Sequence, residues 1–152
     1  MPGSGQSQLR KGRYSLAGQV YHVVSRTHGR KRIFAGWIEA VSACRAFTSS
    51  RALQDSRLLC YALMPDHAHW LVQLGEEDQL AGLVARMKSL SAKAVRSEAG
   101  LCERVWHRGF YDRAIRREED LAAVARYIVA NPLRAALCTN LRQYPFWDAV
   151  YL

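Results

Sequence analysis

Four stretches of the chain combine apolar, β-branched and aromatic residues in the way that is typical of β-strands. They are residues 19–26, 58–64, 67–74 and part of 105–115. Met64-Pro65-Asp66 separates the second stretch from the third with residues that favour a turn. We therefore expect these two strands to form a hairpin.

Three further stretches repeat their apolar residues at helical spacing, which predicts three helices. The first spans Phe34 to about Leu53, the second begins near Leu80, and the third lies between Asp120 and Asn131-Pro132. The last boundary follows because proline disfavours helical geometry in the residue before it. In the first helix the apolar residues that recur at helical spacing are Phe34, Trp37, Ile38, Val41 and Cys44.

The predicted order of elements is β-α-β-β-α-β-α, and its first six members match the split βαβ pattern of ferredoxin-like folds. We expect an α+β fold with a four-stranded antiparallel sheet and two helices on one face. The last helix must then pack elsewhere, which makes it a candidate carrier of function. A length of 152 residues suits one domain. We place that domain at 14–152, after a flexible basic arm at 1–13.

The charge of the chain is strongly positive and unevenly distributed. The formal net charge is +9, and residues 1–33 contain seven basic residues and no acidic one. Only four of the 22 basic residues are lysine. Because the planar fork of arginine pairs with phosphate through two hydrogen bonds, this bias favours nucleic acid as the partner. A generally basic protein without such a partner is the alternative.

Location in the cell is indicated by what the chain lacks. No apolar run approaches the ~20 residues of a membrane span, and residues 1–8 contain no apolar signal segment. The four cysteines show no metal-binding spacing and sit among apolar neighbours. We expect a cytoplasmic protein with no membrane partner, whose cysteines are buried and reduced.

His67-Ala68-His69 is the sharpest local signal for chemistry. Side chains two apart on a strand point the same way, about 7 Å apart, so two imidazoles can converge on one metal ion. A catalytic metal also needs a third ligand and an open position. The alternative is a pair of partly exposed histidines without metal. We expect His22, His28 and His107 to be unrelated surface or core histidines.

Tyr127 and Asn131 lie four residues apart on the last predicted helix, so they share one face. A tyrosine hydroxyl can attack phosphorus and form a covalent intermediate, and an asparagine oxygen could complete a metal site. The alternative is that both residues only pack or end the helix. Tyr111 is the second choice for a nucleophile. It belongs to the stretch 105–113, whose aromatics and arginines suit either single-stranded nucleic acid or a core strand.

Two strings of residues closely resemble the REP-associated tyrosine transposases. These are relatives of the single-tyrosine insertion-sequence transposases that carry a His-hydrophobic-His motif. The strings are Met64-Pro65-Asp66-His67-Ala68-His69-Trp70-Leu71-Val72 and Tyr127-Ile128-Val129-Ala130-Asn131-Pro132-Leu133-Arg134-Ala135. The likeness extends over roughly residues 10–147. One departure is Ala136, where the family usually has glycine, and we expect it to affect the turn after the helix but not the chemistry.

The resemblance implies an enzyme that cuts and rejoins single-stranded DNA beside palindromic hairpins. It implies that Tyr127 forms a 5′-phosphotyrosine link and that His67, His69 and Asn131 hold Mg²⁺ or Mn²⁺. It leaves open whether the protein is a monomer or a homodimer. The side chains expected to contact DNA are Arg10, Lys11, Arg13, Arg30, Lys31, Arg32 and Arg108.

Two other functions stay open at this point. One is a hairpin-binding protein whose catalysis is lost or vestigial. The other is a metal hydrolase of a different substrate with the histidine pair as a zinc site, which the sequence favours least because no further histidine or carboxylate lies at metal-ligand spacing.

Overall fold

A five-stranded antiparallel sheet forms the centre of the computed structural model, which describes residues 16–116 and 119–150. The strands are β1 (Val20–Arg26), β2 (Arg57–Met64), β3 (His67–Gln73), β4 (Tyr111–Ala114) and β5 (Trp147–Ala149). Their order across the sheet is β4-β1-β3-β2-β5, so β3 is the central strand. The basic arm at 1–13 lies outside the described residues.

Five helices accompany the sheet in the described part of the chain. They are α1 (Trp37–Phe47), α2 (Ser50–Leu53), α3 (Leu80–Ala99), α4 (Leu121–Val129) and α5 (Asn131–Arg134). Short 3₁₀ turns lie at His28–Arg30, Ile33–Ala35 and Leu141–Gln143. None of the helices in these residues is long and apolar enough to cross a lipid bilayer.

The strand β3 is buried on both faces, and its side chains belong alternately to two hydrophobic cores. Ala68, Trp70 and Val72 belong to a large core with residues of α1 and α3. Leu71 points the other way and belongs to a smaller core with Ile128 of α4. The expected antiparallel α+β fold is therefore confirmed, and the last helix does pack on the opposite face from the other two.

The sheet has one strand more than the sequence predicts. β5 pairs with β2, with Ala149 opposite Cys60 and Trp147 opposite Ala62. A strand of three residues is too short to show the period-two pattern by which strands are recognised. Its position is decided by pairing with the exposed edge of β2.

The apolar stripe predicted for the first helix is buried only in part: Phe34 is buried and Cys44 packs against the large core. Trp37 and Ile38 are 63% and 54% exposed, whereas Ala40, Ala43 and Phe47 are buried. Small residues at the buried positions let the helix approach the rest of the core closely, and the Trp37 ring packs on Phe146 instead, at 5.3 Å between ring centroids. The predicted helix is also divided, because α1 ends at Phe47 and Ser49 caps a new helix by accepting a hydrogen bond from the Ala52 N–H.

The cysteine prediction is correct in part. All four cysteines are free thiols, and Cys60 is buried, but Cys102 is exposed. Cys102 lies in the irregular segment after α3, where Leu101 and Val105 pack against the large core but Cys102 itself faces solvent.

Candidate active site

Three histidines meet on the face of the sheet that α4 partly covers. His67 and His69 lie on β3, and His22 lies on the neighbouring strand β1. The Nε2 atom of His22 is 3.0 Å from Nδ1 of His69. The ring centroids of His67 and His69 are 4.9 Å apart. The prediction that His22 is unrelated to the histidine pair is therefore wrong.

Pairing of β1 with β3 explains this cluster. In the antiparallel register His22 lies opposite Leu71 and Val24 lies opposite His69. His22 and His69 are thus diagonal neighbours on one face, which is within reach of ring-sized side chains. The only sequence signal for His22 is the alternation of side chains along β1, which places it on the same face as Val20. This alternation does not reveal which strand β1 will pair with.

A carboxylate accepts a hydrogen bond from Nδ1 of His67. His67 Nδ1 donates to Asp66 Oδ1 at 2.8 Å, and Asp66 Oδ2 accepts from Arg30 Nε at 3.1 Å. An ionised carboxylate only accepts, so Nδ1 of His67 carries a proton and, in the neutral imidazole, Nε2 keeps its lone pair. Burial alone would raise the pKa of Asp66, but the hydrogen bonds from His67 and Arg30 lower it overall.

His69 can be oriented in the same way by His22. When His69 Nδ1 donates to His22 Nε2, the Nε2 atom of His69 also keeps its lone pair. Burial lowers the pKa of His69 to about 3, helped by the nearby His67, His22 and Arg134. Burial and the charge of Arg113 lower the pKa of His22 to about 4. Both rings are therefore neutral at pH 7, which is the form that binds metal.

The donor set fits a metal ion only if ligands other than these histidines contribute. Among the described residues, no group of three His, Cys, Asp or Glu side chains is placed to hold a metal, and the contact with His69 already occupies Nε2 of His22. Asn131 Nδ2 donates to the Ile128 carbonyl at 2.7 Å, so its Oδ1 has no acceptor role within the described chain. Two imidazoles, this amide oxygen and phosphate oxygens would suit Mn²⁺.

Tyr127 lies near the end of α4 with its side chain 63% exposed. The helix begins at Leu121 because Asp120 caps it, accepting from the N–H groups of Ala122 and Ala123. Its other face is anchored in the small core through Ala125 and Ile128. No hydrogen bond or ring contact in the described chain joins Tyr127 directly to the histidines.

Arg134 makes the contacts that connect Tyr127 to its surroundings. Its Cζ atom lies 3.9 Å from the centroid of the Tyr127 ring, and one of its nitrogens donates to the Tyr127 carbonyl at 2.6 Å. The charge of Arg134 also contributes to the low pKa of His69. Tyr111, the other candidate, lies on β4 opposite Val24, with Arg26 over its ring at 4.7 Å.

The chain turns sharply after the two helical segments that carry Tyr127 and Asn131. α4 ends at Val129, and Pro132 lies in the first turn of α5, where its missing N–H costs nothing. Ala136 then has a φ of 58°, in the left-handed region. The expectation that Ala136 affects this turn is confirmed.

The basic residues predicted to contact DNA have different surroundings. Arg30 is paired with Asp66 and Lys31 with Glu103, whereas Arg32 is exposed and makes no ion pair within the described residues. Arg10, Lys11 and Arg13 lie outside the described residues. Arg108 lines a shallow cavity of about 330 Å³, between α3 and the segment before β4. The other cationic side chains at this cavity are those of Lys88, Arg96 and Arg104.

The sequence of the chain is similar to known proteins. The model of the IS200-like transposase family matches residues 15–131. A Haemophilus influenzae protein named as a REP-associated tyrosine transposase is 28% identical over 94 residues. That match covers 55% of this chain and 53% of the relative, so it spans about half the relative's length.

Two solved structures share the fold. A REP-associated tyrosine transposase bound to a REP hairpin superposes with a TM-score of 0.67 at 20% identity, covering 89% of this chain and 79% of that one. A Deinococcus radiodurans R1 protein described as a transposase gives a TM-score of 0.54 at 20% identity, covering 77% and 93%.

Proposed function

The chain belongs to the IS200-like transposase family, and on that premise we propose that it is a metal-dependent enzyme that nicks and rejoins single-stranded DNA beside palindromic hairpins. The observation that carries this proposal is the orientation of the histidine pair. His67 and His69 each have Nδ1 engaged by a neighbour, so both can present Nε2 to one ion.

Tyr127 supplies the nucleophile in this proposal. Its hydroxyl oxygen attacks the scissile phosphorus, the bond from phosphorus to the 3′ oxygen breaks, and a 5′-phosphotyrosine remains. The phenol proton is lost to solvent, and the departing 3′ oxygen takes up a proton from solvent to become a hydroxyl. Rejoining reverses the step, because a 3′-hydroxyl attacks the phosphotyrosine and releases the phenol. The exposure of Tyr127 supports this role.

His67, His69 and Asn131 would hold the metal ion. When bound there, the ion would neutralise charge on the phosphate oxygens in the transition state. His22 and Asp66 would keep the two imidazoles in the required tautomer. Two imidazoles together with an amide oxygen could hold Mn²⁺, whereas Mg²⁺ prefers oxygen ligands, so we expect Mn²⁺ to support the reaction in the test tube.

The positive charge of the chain and its likeness to a hairpin-bound structure support a DNA hairpin as the substrate. The chain carries a net charge of +9, and the cavity beside Arg108 is lined by basic side chains that suit phosphate. One structural relative was solved bound to a REP hairpin. A protein that only bound hairpins would have no chemical need for the histidine pair, Tyr127 and Asn131 together, so the enzyme is favoured over that alternative.

The test is formation of a covalent adduct. A labelled single-stranded oligonucleotide with the palindromic hairpins that flank the gene is incubated with protein and Mn²⁺ or Mg²⁺, then run on a denaturing gel. We expect an adduct that disappears with EDTA and in Tyr127→Phe. Tyr111→Phe is the matched control, since it removes a hydroxyl on the same side of the sheet, and it should retain the adduct.

Two other outcomes would change the nucleophile or the function assigned to this protein. An adduct that survives in Tyr127→Phe and is lost in Tyr111→Phe would move the nucleophile to β4. A gel shift without adduct in either metal would identify a hairpin-binding protein without catalysis.

A further inference from the structure

Arg134 is placed where it can act on the nucleophile and on the substrate at once. It is the last residue of α5, and its guanidinium carbon lies 3.9 Å from the centroid of the Tyr127 ring. The same side chain donates to the Tyr127 carbonyl at 2.6 Å. A planar guanidinium stacks on a ring face while it donates in its own plane, which an ammonium cannot do.

Capping alone does not explain this geometry. A basic side chain near the end of a helix often donates to the last carbonyls, and the bond to the Tyr127 carbonyl is of that kind. The stacking on the ring is additional, because a cap needs only the carbonyl. The guanidinium covers one face of the Tyr127 ring, although the residue as a whole is 63% exposed.

The guanidinium also has N–H donors that make no hydrogen bond within the described residues. Arginine carries five N–H donors, and the Tyr127 carbonyl is the only acceptor that Arg134 has among the described residues. Its positive charge contributes to the low pKa of His69, so the guanidinium interacts electrostatically with the histidine cluster as well as with Tyr127. A phosphate that approached both Tyr127 and His69 would come within reach of the remaining N–H groups.

We propose that Arg134 positions the Tyr127 ring for attack and that its remaining N–H donors bind an oxygen of the scissile phosphate. The first half concerns the protein alone, whereas the second half rests on the proposed function. Arg134 is thus a positioning residue before DNA binds and a phosphate ligand afterwards.

The first experiment tests the ring contact without DNA. Guanidinium N–H signals of ¹⁵N-arginine-labelled protein are assigned to Arg134 by their loss in Arg134→Lys. We expect an upfield displacement by the Tyr127 ring that disappears in Tyr127→Ala. An Arg134 signal at the same position in both proteins would overturn the positioning role.

The second experiment measures adduct formation at saturating DNA and hairpin affinity separately. Arg126→Met is the matched control, because Arg126 lies next to Tyr127 on α4, is 57% exposed and, among the described residues, forms an ion pair only with Asp120, at 4.0 Å. We expect Arg134→Met to slow adduct formation by about 100- to 1000-fold, as loss of orientation and of one oxyanion donor does elsewhere. Hairpin affinity should stay close to that of Arg126→Met, and Arg134→Lys should lie between Arg134→Met and the wild type.

The outcomes separate this inference from the proposed function. An Arg134→Met protein that reacts as fast as Arg126→Met would overturn the phosphate contact while the enzyme stands. A wild-type protein that forms no adduct would overturn the enzyme and the phosphate contact together, and the NMR displacement would still decide the positioning role.

Discussion

At the scale of single side chains, the candidate site consists of pairs in which one residue orients another. Asp66 orients His67, and His22 can orient His69. Arg134 lies over Tyr127. Asp66 directly precedes His67 in the chain, whereas His22 and Arg134 lie on a different strand or helix from their partners. The geometry of these two pairs therefore depends on how the elements pack.

His22 gives a prediction at this scale. Replacing His22 with Leu removes the acceptor for His69 Nδ1, so His69 loses the contact that selects its tautomer. We expect the Mn²⁺ concentration for half-maximal adduct formation to rise about 10- to 100-fold, the usual cost of losing such a partner. His22→Gln should retain more affinity than His22→Leu, because its amide oxygen can accept the same hydrogen bond.

The control for this series is His28→Leu, an exposed histidine in the 3₁₀ turn at 28–30. It should bind Mn²⁺ like the wild type, as measured directly by calorimetry without DNA. A His22→Leu protein with unchanged Mn²⁺ affinity would show that His22 does not orient the ligand.

At the scale of elements, the segment from α4 to residue 136 holds the proposed nucleophile and the proposed amide ligand. Asp120 begins it and the small core anchors it through Ile128. Its end depends on Ala136, whose φ of 58° is one that side chains with a Cβ adopt at a cost. We therefore expect the departure from glycine at this position to lower stability without changing the chemistry of the site.

Ala136→Gly should stabilise the protein. The left-handed conformation costs an alanine about 1–2 kcal/mol, and the extra freedom of glycine in the unfolded chain offsets roughly 0.5–1 kcal/mol of that gain. We expect the free energy of unfolding in urea to rise by up to about 1 kcal/mol.

Ala135→Gly is the control, because Ala135 has a φ of −84° and gains nothing from glycine. It should lower the free energy of unfolding by roughly 0.5–1 kcal/mol. Equal effects at the two positions would contradict the argument from φ.

At the scale of the whole molecule, positively charged arginines lie on both sides of the sheet. Arg134 and Arg113 act on the histidines on the α4 side. Arg96, Arg104 and Arg108 surround the cavity beside α3 and make no ion pair within the described residues. We expect the second group to bind phosphates of the hairpin stem away from the reacting centre.

Changing Arg96, Arg104 and Arg108 together to Gln tests this expectation. In a Tyr127→Phe background, which prevents cleavage, the slope of log affinity against log salt should become shallower by roughly 2 to 3, since each phosphate contact on duplex DNA contributes about 0.9. Gel shifts with the hairpin at several salt concentrations provide the measurement.

The matched control changes three exposed arginines elsewhere, Arg45, Arg51 and Arg57, by the same total charge. Its slope should stay near that of the parent protein. Equal slopes for the two triple variants would mean that only the overall charge matters.

The sequence alone determined four of the five strands, the approximate positions of the three longest helices, the face shared by His67 and His69, and the resemblance that points to Tyr127. These follow from local periodicity, because the pleat of a strand and the turn of a helix set side-chain direction over a few residues. Only the tertiary structure decided that His22 reaches His69 and that Arg134 lies over Tyr127. It also placed β5 on the edge of β2 and the inward face of α1 on Ala40 and Ala43. Contacts between distant segments are chosen by the packing of the whole chain, and no spacing within one segment encodes them.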